Sequence, residues 1–264
     1  MNAIYPLFDL ITDTNSPKKI ENGIIVLEND TEIDEIVSIN LSQEDRHHIQ
    51  GAQLCLSIDK NHHEPKQASI AFIISCRLLK RTKVFIRYRI DDDRKIVSKI
   101  RDDYPFVTSN DVSSKINDEE FKRISEIFAG LNIFKNIRTR TSNAAYFLGL
   151  AYRSRKWLEA LLFHVCALET LTSSTEREDR ITEKFVNRIH NFIGYDKASL
   201  KKIYDIRSEL VHGRYKWNSK NENLRLFRIA EEVCRSVFMK ILLDEKILDS
   251  FKGDESRINI FENG

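Results

Sequence analysis

Glycine and proline are scarce in this chain, at 8 and 4 of 264 residues. With 41% hydrophobic and 31% charged residues, that scarcity excludes a disordered or fibrous protein and leaves a globular, helix-leaning one, long enough for one large domain or two modest ones. Cysteine is scarce too. Cys55, Cys76, Cys166 and Cys234 are too scattered for a zinc pattern or a disulfide framework, and are read as reduced core residues. The longest apolar run, IAFII at 70–74, is far short of the roughly 18 residues that would span a membrane. The first residues, MNAIYPLFDLITD, lack a basic start and a small-residue cleavage site, so they do not read as a signal peptide and the cytoplasm is the expected address. A Walker loop and a G-x-G-x-x-G turn are both missing, which removes support for nucleotide hydrolysis by those routes. The pairs His47-His48 and His62-His63 have no companion Cys or Glu at ligand spacing, so neither a metal nor another cofactor is expected.

Charge is nearly balanced overall, at +2, but it is not evenly spread. Residues 1–134 hold 18 basic against 22 acidic side chains, whereas 135–220 hold 17 against 9. A local excess of that size suits a polyanionic partner, because neutralising phosphates releases condensed counterions. A solvated face of lysines and arginines is the competing explanation.

The pattern of apolar residues changes near residue 115. Short β-branched segments, NGIIVLEND, EIVSINLS and AQLCLSID, predict strands between 22 and 59. QASIAFIISCRLLKR (67–81) predicts a largely buried helix, and KVFIRYRID a strand with Val84, Ile86, Tyr88 and Ile90 on one face and Arg87 and Arg89 in solvent on the other. The polar stretch 91–115 reads as a connector. Beyond it, helices are expected. Asn117 or Asp118 caps a helix bearing Phe121, Ile124, Ile127, Phe128 and Leu131. Residues 142–171 form one long helix, or two joined at the basic RSRK, with Leu158, Leu161, Leu162, Val165 and Leu168 as its core stripe. A helix over ITEKFVNRIHNFI ends at Gly194, another capped by Ser199 stops at Gly213, and a last one runs through 223–248. The expected fold class is mainly α: a bundle of four or five helices over 116–264, with a smaller α+β region over 1–115.

The helix that stops at Gly213 ends in IRSELVHGR, with Arg207 and His212 five residues apart. Five residues turn a regular helix by about 500°, so the two side chains diverge by about 140°. They meet only if the helix end distorts, where Gly213 permits it, or if a second subunit supplies the missing partner. The negative end of the helix favours a cation, and histidine exchanges protons near neutral pH. Structural roles compete: His212 capping carbonyls, and Arg207 pairing with Asp205 or Glu209. Elsewhere Glu169, set among leucines, needs a partner and is expected to pair with an arginine such as Arg188. His164 is expected to be a satisfied core or interface residue, and His190 to lie on the surface.

The segments LEALLFHVCALETL, FVNRIHNFIG and LKKIYDIRSELVHG resemble the HEPN superfamily, most closely its Apea-like branch. Coverage is about residues 118 to 250. The specific part is Ile203 to Gly213, where RSELVHG matches the late-helix R-x4–6-H motif; the ALE of a preceding long helix is Ala167, Leu168 and Glu169. The resemblance implies a HEPN-like helical bundle and a metal-independent endoribonuclease, dimerising so that two motifs line one cleft. Carried over, His212 is the acid/base residue and Arg207 the phosphate-binding one, with Ser208 following it and Glu169 and Arg188 in support. RNA cleavage by its own 2′-hydroxyl requires proton transfer to and from oxygen, and relief of charge at phosphorus; an imidazole and a guanidinium fork supply these. Related toxin-type members carry a tyrosine two residues after the histidine. This chain has Arg214 there, and Tyr215 next. Arg214, Tyr215 and Lys216 form the expected RNA-binding segment. The implied partners are RNA, with transfer RNA or phage transcripts as candidates in defence, a second copy of the chain, and a regulatory or antitoxin protein. The alternative function is a non-catalytic dimeric module that binds a nucleotide, RNA or a regulatory protein.

Overall fold

The computed structural model describes residues 2–12, 17–28, 37–38, 41–91, 96–100, 113–174, 179–216 and 220–263. The protein is mainly α, with ten helices among these residues and its strands confined to the first 116. Its contacts divide it into two compact units, Met1–Ala129 and Gly130–Gly264. The division falls inside helix α3 (Asp118–Ile137), whereas the change in sequence pattern precedes that helix.

In the first unit, strands β1 (Asn2–Phe8), β3 (Lys18–Glu21), β4 (Ile24–Glu28), β5 (Val37–Ser38), β6 (Leu54–Asp59), β8 (Tyr88–Asp91) and β9 (Ile96–Lys99) form one sheet. Their order is β3-β4-β6-β1-β8-β9-β5, and β7 (Phe85–Ile86) also pairs with β1. The pairings are antiparallel except β5 with β9. Strand β2 (Ile11–Thr12) lies apart, parallel to β10 (Lys115–Ile116). The alternation at 84–90 is realised: Val84, Ile86, Tyr88 and Ile90 are all buried. On the other face Arg89 pairs with Asp91 at 2.9 Å and Arg87 meets His48 at 3.3 Å.

Several elements here were not expected, β2, β3 and β10 among them. Strand β1 is central, strand β9 lies within the supposed connector, and helix α1 (Gln43–Gly51) sits where only polar residues were seen. Helix α1 presents a single large apolar residue, Ile49, which packs with Tyr88, Ile90 and Val97. Its Asp45 is held by Tyr88 Oη at 2.5 Å, Lys99 Nζ at 2.9 Å and Ser42 Oγ at 3.0 Å. Those hydrogen bonds hold the carboxyl well below the usual range. Helix α2 (Pro65–Leu79) is buried as expected, with Pro65 at its first position and Glu64 as cap. The strand expected over 35–42 is described only at Val37–Ser38, and 92–95 and 101–112 of the connector lie outside the described residues.

Helix α3 begins with a capping box: Asn117 Oδ1 accepts the Glu120 amide at 2.9 Å and Glu120 Oε2 accepts the Asn117 amide at 3.0 Å. Residues 139–172 form two helices, α4 (Thr139–Arg153) and α5 (Trp157–Thr172), broken at the basic RSRK. Then follow α6 (Ile181–Ile193), α7 (Lys197–Val211), α8 (Lys220–Leu242), α9 (Glu245–Ser250) and α10 (Asp254–Asn263). Helix α5 is central in the second unit and packs against α4, α6, α7 and α8. Its buried side is Ala160, Leu161, His164, Val165, Ala167, Leu168 and Leu171, while Leu158 and Leu162 are only half-buried. The last helix was expected to run unbroken to 248; it stops at Leu242, where Asp244 caps α9 by accepting the Lys246 and Ile247 amides. A Cβ on Gly130 would lie 2.5 Å from Leu242 O, so α3 approaches the end of α8 as closely as it does because that position has no side chain.

Candidate functional site

Helix α7 carries both motif residues. Its N-terminus corrects an expectation: the cap is Asp196, whose carboxylate accepts the Ser199 amide at 2.7 Å, so Ser199 is the donor and not the cap. Leu200, Ile203, Tyr204 and Ile206 are buried, and Leu210 is half-buried. At the other end His212 is the C-cap residue and Gly213 adopts φ +67°. The Gly213 amide donates to Leu210 O at 3.2 Å and the Arg214 amide to Glu209 O at 2.7 Å. This 6→1 and 5→2 pair is a Schellman closure, which needs the left-handed residue that glycine supplies without a Cβ penalty.

Backbone amides therefore satisfy the final carbonyls, and the His212 side chain is not needed there. It is exposed, and among the described residues it has no hydrogen-bond or ionic partner. Arg214 and Lys216 are exposed beside it. Tyr215 is engaged, donating its hydroxyl to Asn223 Oδ1 at 2.7 Å and meeting Trp157 edge-on. Ser208 is half-buried and its carbonyl accepts the His212 amide at 3.0 Å.

Arg207 points elsewhere. Its guanidinium pairs with Glu169 of α5, whose other oxygen accepts the Tyr204 hydroxyl at 3.3 Å. The Tyr204 ring lies 6.0 Å from the same guanidinium. Burial and the Glu169 charge push the Tyr204 phenol up to about 12, so it remains a donor. This corrects two expectations. Glu169 pairs with Arg207 and not with Arg188, and neither Asp205 nor Glu209 takes Arg207; Asp205 is held by Lys201 at 2.6 Å. Arg188 instead binds Thr172 O at 2.7 Å and Glu262 at 2.8 Å.

Arg207 and Glu169 line a cavity of about 780 Å³, walled also by Arg138, Thr139, Arg140, Asn143 and Phe147 of the α3–α4 corner and by Cys166, Thr170, Ser173 and Asp254. His212 does not line it. The end of α5 is surrounded by cations. Arg140 donates to Thr170 O at 3.1 Å and Ser173 O at 3.0 Å, Arg257 to Leu171 O and to Ser173 O at 2.9 Å, and Arg188 to Thr172 O. Guanidiniums thus satisfy carbonyls that no next turn can reach and complement the negative helix end. Arg257 is 1% exposed. Burial first, then the Arg140 charge, bring its pKa down to about 10.

Cys166 also departs from expectation. Cys55, Cys76 and Cys234 are buried, but Cys166 is half-exposed in the cavity wall. Burial pushes its thiol up, and the neighbouring Arg207 opposes that shift. His164 is in the core, as expected, but among the described residues its Nδ1 has no partner, so it is not satisfied there. Tyr204, Arg138 and Arg140 were missed. The i, i+3 spacing of Tyr204 and Arg207 was a visible signal; Arg140 reaches Thr170 and Ser173 across the fold and Arg138 reaches Asp254, and neither meeting leaves one.

Among the described residues no three His, Cys, Asp or Glu side chains are grouped to hold a metal, and no helix is long and apolar enough to cross a membrane. Compared with family models, with curated proteins and with solved structures, the chain matches none.

Proposed function

We propose that the protein is a metal-independent endoribonuclease of HEPN type, acting as a homodimer on RNA in the cytoplasm, with a defence or toxin role under the control of a regulatory partner. The observation that carries the reading is the state of the motif: Arg207 is held ready by Glu169 and Tyr204, while His212 stands uncommitted at a helix end closed by backbone amides. A guanidinium with a fixed orientation suits the non-bridging oxygens of a phosphodiester. A free imidazole suits proton transfer to and from the 2′- and 5′-oxygens. Arg188, through Thr172 and Glu262, supports the end of α5 that carries Glu169, and Arg214 and Lys216 offer the strand further cations. The divergence of Arg207 and His212 on one helix calls for a second copy, whose motif completes each site across a twofold axis.

Purified protein incubated with total RNA in EDTA tests this. Cleavage should persist, leave 2′,3′-cyclic phosphate and 5′-hydroxyl ends, and spare DNA. His212→Ala and Arg207→Ala should each lower the rate by about 10²–10⁴. Light scattering should report twice the 30.9 kDa chain mass. Full activity in well-folded His212→Ala, or loss of activity in chelator, overturns the reading. A second reading, a non-catalytic RNA-binding module, is favoured by one observation: within one chain Arg207 is already paired and the cavity it lines excludes His212. RNA binding without cleavage would establish it.

A further inference from the structure

The cavity beside Arg207 is larger than a phosphate requires. It is an open depression, and its volume of about 780 Å³ falls in the range of sites that take a small organic ligand. Its wall is cationic at one side, with Arg138 and Arg140, and aromatic at another, with Phe147. Arg138 is 43% exposed and meets Asp254 at 3.3 Å. Helix α4 begins in the same wall; Thr141 Oγ1 accepts the Arg138 amide at 3.0 Å, and first-turn amides there add to the positive potential. Among the described residues at the end of α5, the guanidiniums of Arg138, Arg140, Arg188, Arg207 and Arg257 gather around the carboxylates of Glu169, Asp254 and Glu262. Among the described residues, buried Arg207 Nε has no hydrogen-bond acceptor.

We propose that this cavity is a substrate subsite that takes one unpaired nucleotide of a single-stranded RNA, its phosphate on Arg138 and Arg140 and its base against Phe147. The assignment rests on the ribonuclease reading for the identity of the strand. A base must leave its stack to enter such a cavity, and pairing in a duplex opposes that. Stacking on an aromatic ring is sequence-tolerant, so the subsite selects for single strands more than for a particular base. Arg207, shared by the motif and the cavity wall, ties the bound nucleotide to the neighbouring scissile phosphate.

Cys166 supplies the assay, since it lies in the wall and the other three cysteines are buried. Alkylation of Cys166 by iodoacetamide is followed by mass spectrometry in the presence of a 2′-O-methyl single-stranded hexamer, which binds without being cut. The hexamer should slow alkylation at least tenfold, its duplex should not, and adenosine monophosphate as a separate arm tells whether a free nucleotide suffices. Arg138→Glu, at an exposed position whose backbone role is unaffected, should weaken hexamer binding about tenfold or more and flatten its salt dependence by about one phosphate contact. Phe147→Leu should weaken binding with the salt dependence unchanged. His212→Ala should be protected like the natural chain. Protection by the hexamer with no cleavage in any condition sinks the ribonuclease and keeps the subsite. Cleavage with Cys166 alkylated at the same rate with and without hexamer, or equal protection by the duplex, overturns the subsite.

Discussion

His164 should make the fold sensitive to mild acid. Its ring is 1% exposed, edge-on to Tyr152 at 5.2 Å and tilted against Phe227 at 6.2 Å, and among the described residues its Nδ1 has no partner. Burial lowers its pKa from 6.5 to about 3, because a charged ring there would have no water and no counter-charge. In the unfolded chain the same ring protonates at about pH 6.5. Below that value the unfolded state binds a proton that the folded state refuses, so stability is fully present above pH 6.5 and drains away as pH falls. The loss is RT times the logarithm of one plus the ratio of protonated to neutral ring in the unfolded chain. It amounts to about 1.4 kcal/mol between pH 7.5 and 5.5, and about 2 kcal/mol by pH 5.0. For a protein of this size that is a fall in Tm of about 3–8 °C. Urea denaturation at the two pH values measures it directly. His164→Phe keeps an aromatic edge toward Tyr152 and removes the titration, so the difference between pH 7.5 and 5.5 should shrink by about 1.4 kcal/mol relative to the natural chain. Equal pH dependence of the two proteins would refute a neutral, buried His164.

Glu169→Gln should cost about 1–2 kcal/mol, since the pair with Arg207 is about one-fifth exposed and water offsets part of the loss; in single-turnover assays the cleavage step should slow about tenfold or more while RNA affinity holds or rises, because a competing anion is gone. Gly213→Ala should destabilise by about 1 kcal/mol from the positive φ alone, no atom lying within 4 Å of the added Cβ, and urea midpoints check it. Gly130→Ala should cost more, about 1–3 kcal/mol, because its Cβ meets the Leu242 carbonyl and backbone must move; a thermal melt no lower than that of Gly213→Ala contradicts the close approach.

Periodicity alone was enough for helices α3 to α7 and most of α8, though not for the break at Leu242 or for helix α10. Phe121, Ile124, Ile127, Phe128 and Leu131 are all buried, and Gly194 and Gly213 end α6 and α7 in left-handed conformations. These features are local: an apolar stripe at 3.6 residues per turn and a glycine after it act within one or two turns. Strand β1 and helix α1 escaped for the complementary reason. NAIYPLF is apolar at nearly every position and contains a proline, and QEDRHHIQG carries one large apolar residue, so neither shows a period until the sheet covers it.

The candidate site divides along the same line. From the sequence came Arg207 and His212, their divergence on one helix, and the need of Glu169 for a cationic partner; all three follow from spacing or from the cost of burying a charge. Which arginine answers Glu169 was decided by packing. Arg207 does so because α7 lies against α5, and Arg188 does not because Thr172 O and Glu262 already hold it. The meeting of Arg140 with Thr170 and Ser173, that of Arg138 with Asp254, and the cavity wall they share with Cys166 join segments about thirty residues apart or more. Nothing in a one-dimensional pattern encodes such a meeting, because it depends on how two helices cross and not on the order of residues along either.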